Sequence, residues 1–169
     1  DFWGTNLTDS GSHCSYRPLT VLTFKINHIL GGTNAFGYHL VNVLLHCLAT
    51  SLVVNLGRHI LPCEISTLLS GLLFAIHPIH TEAVAGLTGR ADLIACIFFI
   101  LTLLSYIKHV QLREKCNVQY YVALLGAIVS ASAAILCKET AVSALIVCAI
   151  YDILKGFKII FKDKVSLFL

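Results

Sequence analysis

The run YHLVNVLLHCLATSLVVNLG fills residues 38–57, and no Asp, Glu, Lys or Arg occurs anywhere between Lys25 and Arg58. A helix of about twenty residues covers roughly 30 Å, the thickness of bilayer hydrocarbon. This run is therefore expected to cross a membrane. Four further apolar runs follow, at residues 65–79, 91–107, 119–137 and 140–154. The third and fourth of the five runs are also long enough to span. The second and fifth are short, so each is expected to be tilted against neighbours or interrupted. Pro78 supplies the interruption in the second, because proline removes a backbone donor and clashes with the preceding turn.

Composition points the same way. The 169 residues are 57% hydrophobic and only 12% charged, with a mean hydropathy of +0.82. A water-soluble domain carries about 25% charged residues, so this chain lacks the charge to coat a surface in water. Disorder is excluded as well, since it requires low hydrophobicity and high net charge. The fold class expected is an all-α membrane protein, a multi-span helical bundle of about five spans. The chain holds no methionine, opens on Asp1-Phe2-Trp3-Gly4 and stops at Leu167-Phe168-Leu169. Neither end reads as a signal peptide, and an internal piece of a larger protein is expected. Seven cysteines are scattered singly with no CxxC pair; small buried hydrophobes describe them better than a disulfide framework.

Charge placement orients the spans. Arg58 lies between the first two, Lys108, Arg113 and Lys115 between the third and fourth, and Lys155, Lys158, Lys162 and Lys164 after the fifth. These are eight of the twelve Lys and Arg residues; Arg17, Lys25, Arg90 and Lys138 fall on the alternate side. Counting positive charge as cytosolic places residues 1–37, the 77–92 loop and the 138–140 turn on the lumenal side, and the basic segment 155–169 in the cytosol. The sequon Asn6-Leu7-Thr8 then falls where glycosylation of Asn6 is possible.

Several local patterns add detail. Residues 18–30 form a rough amphipathic helix, with Pro18 suited to its first turn. It is too short and polar to span, so it lies either in the membrane interface or packed within a lumenal loop. His39, Asn42 and His46 make one polar stripe on the first span, which reads as interhelical hydrogen bonding or as a ligand contact. Ala123, Ala127 and Ala131 repeat every fourth residue in the fourth span, a spacing that lets helices approach closely in lipid.

The chemistry-bearing residues crowd one side. His77-Pro78-Ile79-His80-Thr81-Glu82 breaks the second span, Arg90 and Asp92 open the third, and Lys138-Glu139 close the fourth. A charge at the end of an apolar helix is costly unless paired or used. Carboxylates, imidazoles and cations at a membrane face suit a lipid phosphate: Arg90, Lys138 and Arg17 are the candidates to hold it through charge-assisted bonds. A carboxylate there can accept a proton from a hydroxyl nucleophile. His77, His80 and Glu82 could also be considered as metal ligands, but they do not make the HExxH pattern, and no metal or cofactor is expected.

Asp1-Phe2-Trp3-Gly4, Ser15-Tyr16-Arg17-Pro18-Leu19, Phe36-Gly37-Tyr38-His39-Leu40-Val41-Asn42, Phe74-Ala75-Ile76-His77-Pro78-Ile79-His80-Thr81-Glu82, Gly89-Arg90-Ala91-Asp92 and Cys137-Lys138-Glu139-Thr140 together resemble one family. It is the transmembrane and tetratricopeptide-repeat family of protein O-mannosyltransferases that target cadherins. The resemblance implies a GT-C type glycosyltransferase of the endoplasmic reticulum membrane. Such an enzyme transfers mannose from dolichyl phosphate mannose to Ser or Thr hydroxyls of cadherin-type domains. It implies donor phosphate at the lumenal helix ends and an acidic general base in the first lumenal loop, where Asp1 matches the acidic position. The family's C-terminal repeats are not in this chain, and neither is the helix that precedes that loop. Catalytic roles are thus expected for Asp1 and Glu82, and substrate binding for Arg17, His77, His80, Arg90 and Lys138. The partners expected are the donor, a protein acceptor and membrane lipid, without nucleic acid. A non-catalytic membrane scaffold working through the missing repeats is the alternative.

Overall fold

The computed structural model describes residues 15–115 and 117–166, with side chains as far as residue 155. Seven α-helices make up the described chain: α1 (Pro18–Gly31), α2 (Ala35–Ile60), α3 (Glu64–Ile76), α4 (His80–Ala85), α5 (Arg90–Gln111), α6 (Val118–Cys137) and α7 (Ser143–Ser166), with a 3₁₀ turn at Glu139–Val142 ahead of α7. No strand occurs among the described residues.

Local chemistry sets the boundaries. Proline opens α1, where its missing N–H costs nothing. Gly32 ends that helix at a φ of 60°, its amide donating to His28 O at 2.7 Å; glycine adopts this left-handed conformation without strain. The Asn34 side chain accepts from Phe36 N at 3.0 Å to cap α2, and Asn117 accepts from Tyr120 N at 3.1 Å to cap α6. Both satisfy amides that have no partner inside the helix. α3 stops at His77, whose backbone is extended (φ −64°, ψ 126°), as the residue before proline prefers.

α2, α5 and α6 are 26, 22 and 20 residues long with mean hydropathy of 1.8, 2.1 and 2.0, long and apolar enough to cross a membrane. The 13 residues of α3 rise only about 20 Å, too little to cross unaided, and α4 continues it beyond Pro78. The run expected at 140–154 begins as the 3₁₀ turn and becomes helical at Ser143.

Packing is inverted relative to a water-soluble bundle. On α6 the buried residues are Ala123, Ala127, Ser130, Ala131, Ala134 and Cys137, while Val122, Leu125, Ile128 and Val129 face outward. Small residues let α6 lie close against α5, its most extensive partner, and the Thr102 and Ser130 hydroxyls meet at 3.1 Å inside that interface. α3 packs against α2 in the same manner. A Cβ at Gly71 would lie 2.3 Å from Val54 Cγ2, so only glycine permits this approach. The opposite face of α3, with Ile65, Leu68, Leu72 and Ile76 exposed, suits lipid. Cys137 and Cys148 are buried as small hydrophobes, whereas Cys47 and Cys63 are exposed.

The chain direction brings the start of α2, the end of α3, all of α4, the start of α5 and the end of α6 to one end of the bundle, where Arg17 also lies.

Candidate functional site

A cavity of about 580 Å³ opens at that end. Its charged and polar lining is Arg17, His80, Glu82, Thr88, Asp92 and Lys138, set against an apolar floor that includes Ala49, Phe74 and Leu93. Two cations, two carboxylates and an imidazole from four segments of the chain thus meet around one space.

Each cation enters from a helix boundary. Arg17 directly precedes α1 and its guanidinium donates to Glu139, with Nη2 3.1 Å from Oε2 and Nε 3.3 Å from both carboxylate oxygens. Lys138 directly follows α6 and pairs with Asp92 in the first turn of α5. Lys138 and Glu139 are consecutive, so one short segment braces two separated elements. Thr20 reinforces the same junction, its hydroxyl donating to Cys137 O at 3.1 Å in a buried bond. Burial pushes the Glu139 carboxyl up, but the bonds from Arg17 and from backbone amides outweigh it and hold the group below its ordinary value.

α4 brings His80 and Glu82. The Pro78 turn reverses the chain through amide bonds from His80 N to His77 O and from Thr81 N to Pro78 O, each 3.1 Å. His77 Nδ1 accepts from Ile79 N at 3.2 Å, which occupies that nitrogen's lone pair. The His80 ring lies 4.3 Å from Phe74, 5.2 Å from His46 and 6.0 Å from His77. Burial first, and then the two neighbouring imidazoles, lower the His80 pKa, so this ring is neutral near pH 7. Glu82 is exposed at the cavity. A Cβ at Gly89 would sit 2.4 Å from Ala83 Cα; this backbone-on-backbone contact presses the loop before α5 against α4.

Of the residues expected at the site, Arg17, His80, Glu82 and Lys138 line the cavity. His77 stands beside His80 but does not contribute to the lining. Asp1 and Asn6 lie outside the described residues. Arg90 stands apart from these residues. Its side chain is buried and does not line the cavity; Nε donates to Asn42 Oδ1 (2.9 Å), and Nη2 donates to Asn27 Oδ1 (3.2 Å) and Tyr38 O (3.0 Å). The polar stripe of α2 makes interhelical bonds: Asn42 donates to Val84 O and Gly86 O, and His46 Nε2 to Ala75 O.

Sequence reasoning missed Thr88 and Cys96 in the lining. Cys96 carried a usable signal, since it sits four residues after Asp92 and shares its helical face; Thr88 carried none. Among the described residues, no three His, Cys, Asp or Glu side chains converge to hold a metal ion.

Comparison with known proteins identifies the family. Residues 16–168 match the family model described as dolichyl-phosphate-mannose-protein mannosyltransferase. The protein O-mannosyl-transferase Tmtc2 of Drosophila melanogaster is 55% identical over 157 residues, covering 92% of this chain and 17% of the relative. Human protein O-mannosyl-transferase TMTC2 is 50% identical over 153 residues (90% and 18%), and human TMTC4 is 42% identical over 170 residues (91% and 23%). The chain thus spans about a fifth of the length of the curated relatives it matches. No solved structure matches it. With spanning helices and a matched family model over nearly its whole length, this multi-pass membrane chain belongs to the dolichyl-phosphate-mannose-protein mannosyltransferase family.

Proposed function

We propose that the cavity is the phosphate end of a mannosyl-transfer site facing the lumen of the endoplasmic reticulum. The observation that carries this reading is the meeting of Arg17, Lys138, Glu82 and His80 around one space at one end of the helical bundle. The donor is dolichyl phosphate mannose and the acceptor a Ser or Thr hydroxyl of a cadherin-type domain. Arg17 and Lys138 neutralise the donor phosphate through charge-assisted bonds. The apolar flank of the cavity receives the first part of the lipid.

Transfer is a single inverting displacement. A carboxylate takes the proton of the acceptor hydroxyl, the oxygen forms its bond to the anomeric carbon, and the bond from that carbon to the phosphate oxygen breaks. The electron pair leaves with dolichyl phosphate, whose charge the two cations stabilise. Glu82 is the described carboxylate exposed to the cavity without an ion-pair partner among the described residues. Asp1 is the second candidate base. Neutral His80 donates or accepts a hydrogen bond with sugar hydroxyls, and His77 supports its ring.

The experiment is transfer of labelled mannose in membranes, using the full-length protein that carries this sequence and a cadherin-type acceptor. Glu82→Gln is expected to lower kcat by about 10²-fold at equal protein level. Undiminished kcat would remove Glu82 from the role of base. No transfer by wild type, beside an active relative, would reject the enzymatic reading in favour of a scaffold.

A further inference from the structure

Arg90 and Asn42 are both 0% exposed, yet neither touches the cavity. Three ion pairs occur among the described residues, and Arg90 is in none of them. A buried cation without a carboxylate is expensive unless its donors are bonded. Here two asparagine oxygens and one carbonyl take the bonds of Nε and Nη2. The guanidinium carbon also lies 4.5 Å from the Phe24 ring centre and 5.5 Å from that of Tyr38, two aromatic rings that add cation–π attraction, while Nη1 has no hydrogen bond.

The direction of the Asn42 amide follows from this. Arginine only donates, so the Asn42 atom 2.9 Å from Arg90 Nε is oxygen. Asn42 Nδ2 must then face the other way, where it donates to Val84 O at 3.2 Å and Gly86 O at 3.1 Å. These carbonyls end α4, where the last turn of a helix has no partners of its own. α4 is the helix that carries His80 and Glu82 to the cavity. Arg90 itself sits between Gly89 and Asp92, two residues that line it.

We infer that Arg90 and Asn42 are positioning residues for mannosyl transfer: Arg90 orients the Asn42 amide, and Asn42 holds the end of α4 so that Glu82 and His80 keep their place in the cavity. The inference rests on the proposed function, since the reaction being positioned is that transfer.

Asn42→Asp tests it. The carboxylate keeps an oxygen for Arg90, but it puts an acceptor where the amide donated to two carbonyls. In the full-length protein in membranes, kcat is expected to fall about 10–100-fold while the donor KM stays within about threefold. Displacing reacting groups by an ångström is enough for such a loss. Hydrogen exchange is expected to quicken about tenfold or more in residues 80–89 and to stay unchanged in α6. Arg90→Lys, which keeps the charge and loses the fork, is expected to show the same split and the same local exchange, and it decides the matter if Asn42→Asp does not fold. Wild-type kcat with wild-type exchange in residues 80–89 would overturn the inference. So would loss of kcat accompanied by faster exchange throughout the bundle, which marks a general structural role. If the wild type transfers no mannose, the proposed function fails, and the exchange pattern still decides whether Asn42 and Arg90 hold α4.

Discussion

Lys138, the residue after α6, pairs with Asp92 in the first turn of α5, and its neighbour Glu139 pairs with Arg17 ahead of α1. Two adjacent residues of opposite charge therefore tie three helix ends together around the cavity. Both cations that the proposed reaction needs already hold a carboxylate, so an incoming phosphate competes with Asp92 and Glu139 for them.

That competition gives the Asp92→Asn variant a distinctive expectation. The Lys138 side chain is 25% exposed and that of Asp92 48%. A pair this open to solvent contributes at most about 1 kcal/mol to stability. The variant should fold normally, with the Lys138 ammonium released toward the phosphate and one repelling negative charge removed. Donor KM should fall about two- to fivefold, read from the donor dependence of mannosyl transfer. A raised KM would mean that Asp92 holds Lys138 in its working position.

Gly89→Ala should destabilise the bundle by about 1–3 kcal/mol. The added methyl would lie within 3 Å of backbone atoms of Ala83, and backbone is poorly able to give way. Gly31→Ala is the control, since a Cβ there meets nothing within 4 Å and alanine favours helix. Thermal unfolding in detergent should separate the two variants clearly. Equal midpoints would show that the loop before α5 yields at little cost.

Two residues give separate pH windows. His80 has a folded pKa below its ordinary value of about 6.5, so between those values the unfolded chain binds more protons. Its contribution to stability is complete above pH 6.5 and is lost as the pH falls through that value toward the folded pKa. Glu139 is also lowered, from about 4.5. Its contribution is present above pH 4.5 and disappears as the pH drops through its folded pKa. His80→Gln should flatten the dependence of stability on pH just below 6.5, and Glu139→Gln only that below 4.5. Unfolding midpoints measured from pH 7 to 3 distinguish them; unchanged slopes in both variants would contradict the assigned environments.

What was legible in the sequence was local. The apolar runs became α2, α5 and α6 because each run satisfies its own backbone and its length matches a bilayer. Pro78 broke the chain where its ring chemistry requires, and Pro18 opened α1. Arg17, His80, Glu82 and Lys138 could be gathered because all stand at helix boundaries on one side of an alternating bundle. Pairing was not legible. Arg17 and Glu139 are 122 positions apart, and nothing local says which carboxylate an arginine will meet. Arg90 shows the limit most clearly. In Gly89-Arg90-Ala91-Asp92 it reads as a loop cation beside a site, and only packing reveals Phe24, Asn27, Tyr38 and Asn42 closed around it.

In the proposed reaction the cavity holds the donor phosphate between Arg17 and Lys138. The most direct measurement is the donor dependence of mannosyl transfer to a cadherin-type domain by the full-length protein in membranes. Wild type, Arg17→Gln, Lys138→Gln and Lys138→Arg would be compared at equal protein level. Hydrogen bonds to charged groups contribute about 1.5–3 kcal/mol, so each glutamine variant should raise the donor KM about 10-fold or more. The acceptor KM should stay put, and Lys138→Arg should recover much of the loss. Wild-type donor KM in both glutamine variants would move the phosphate out of this cavity.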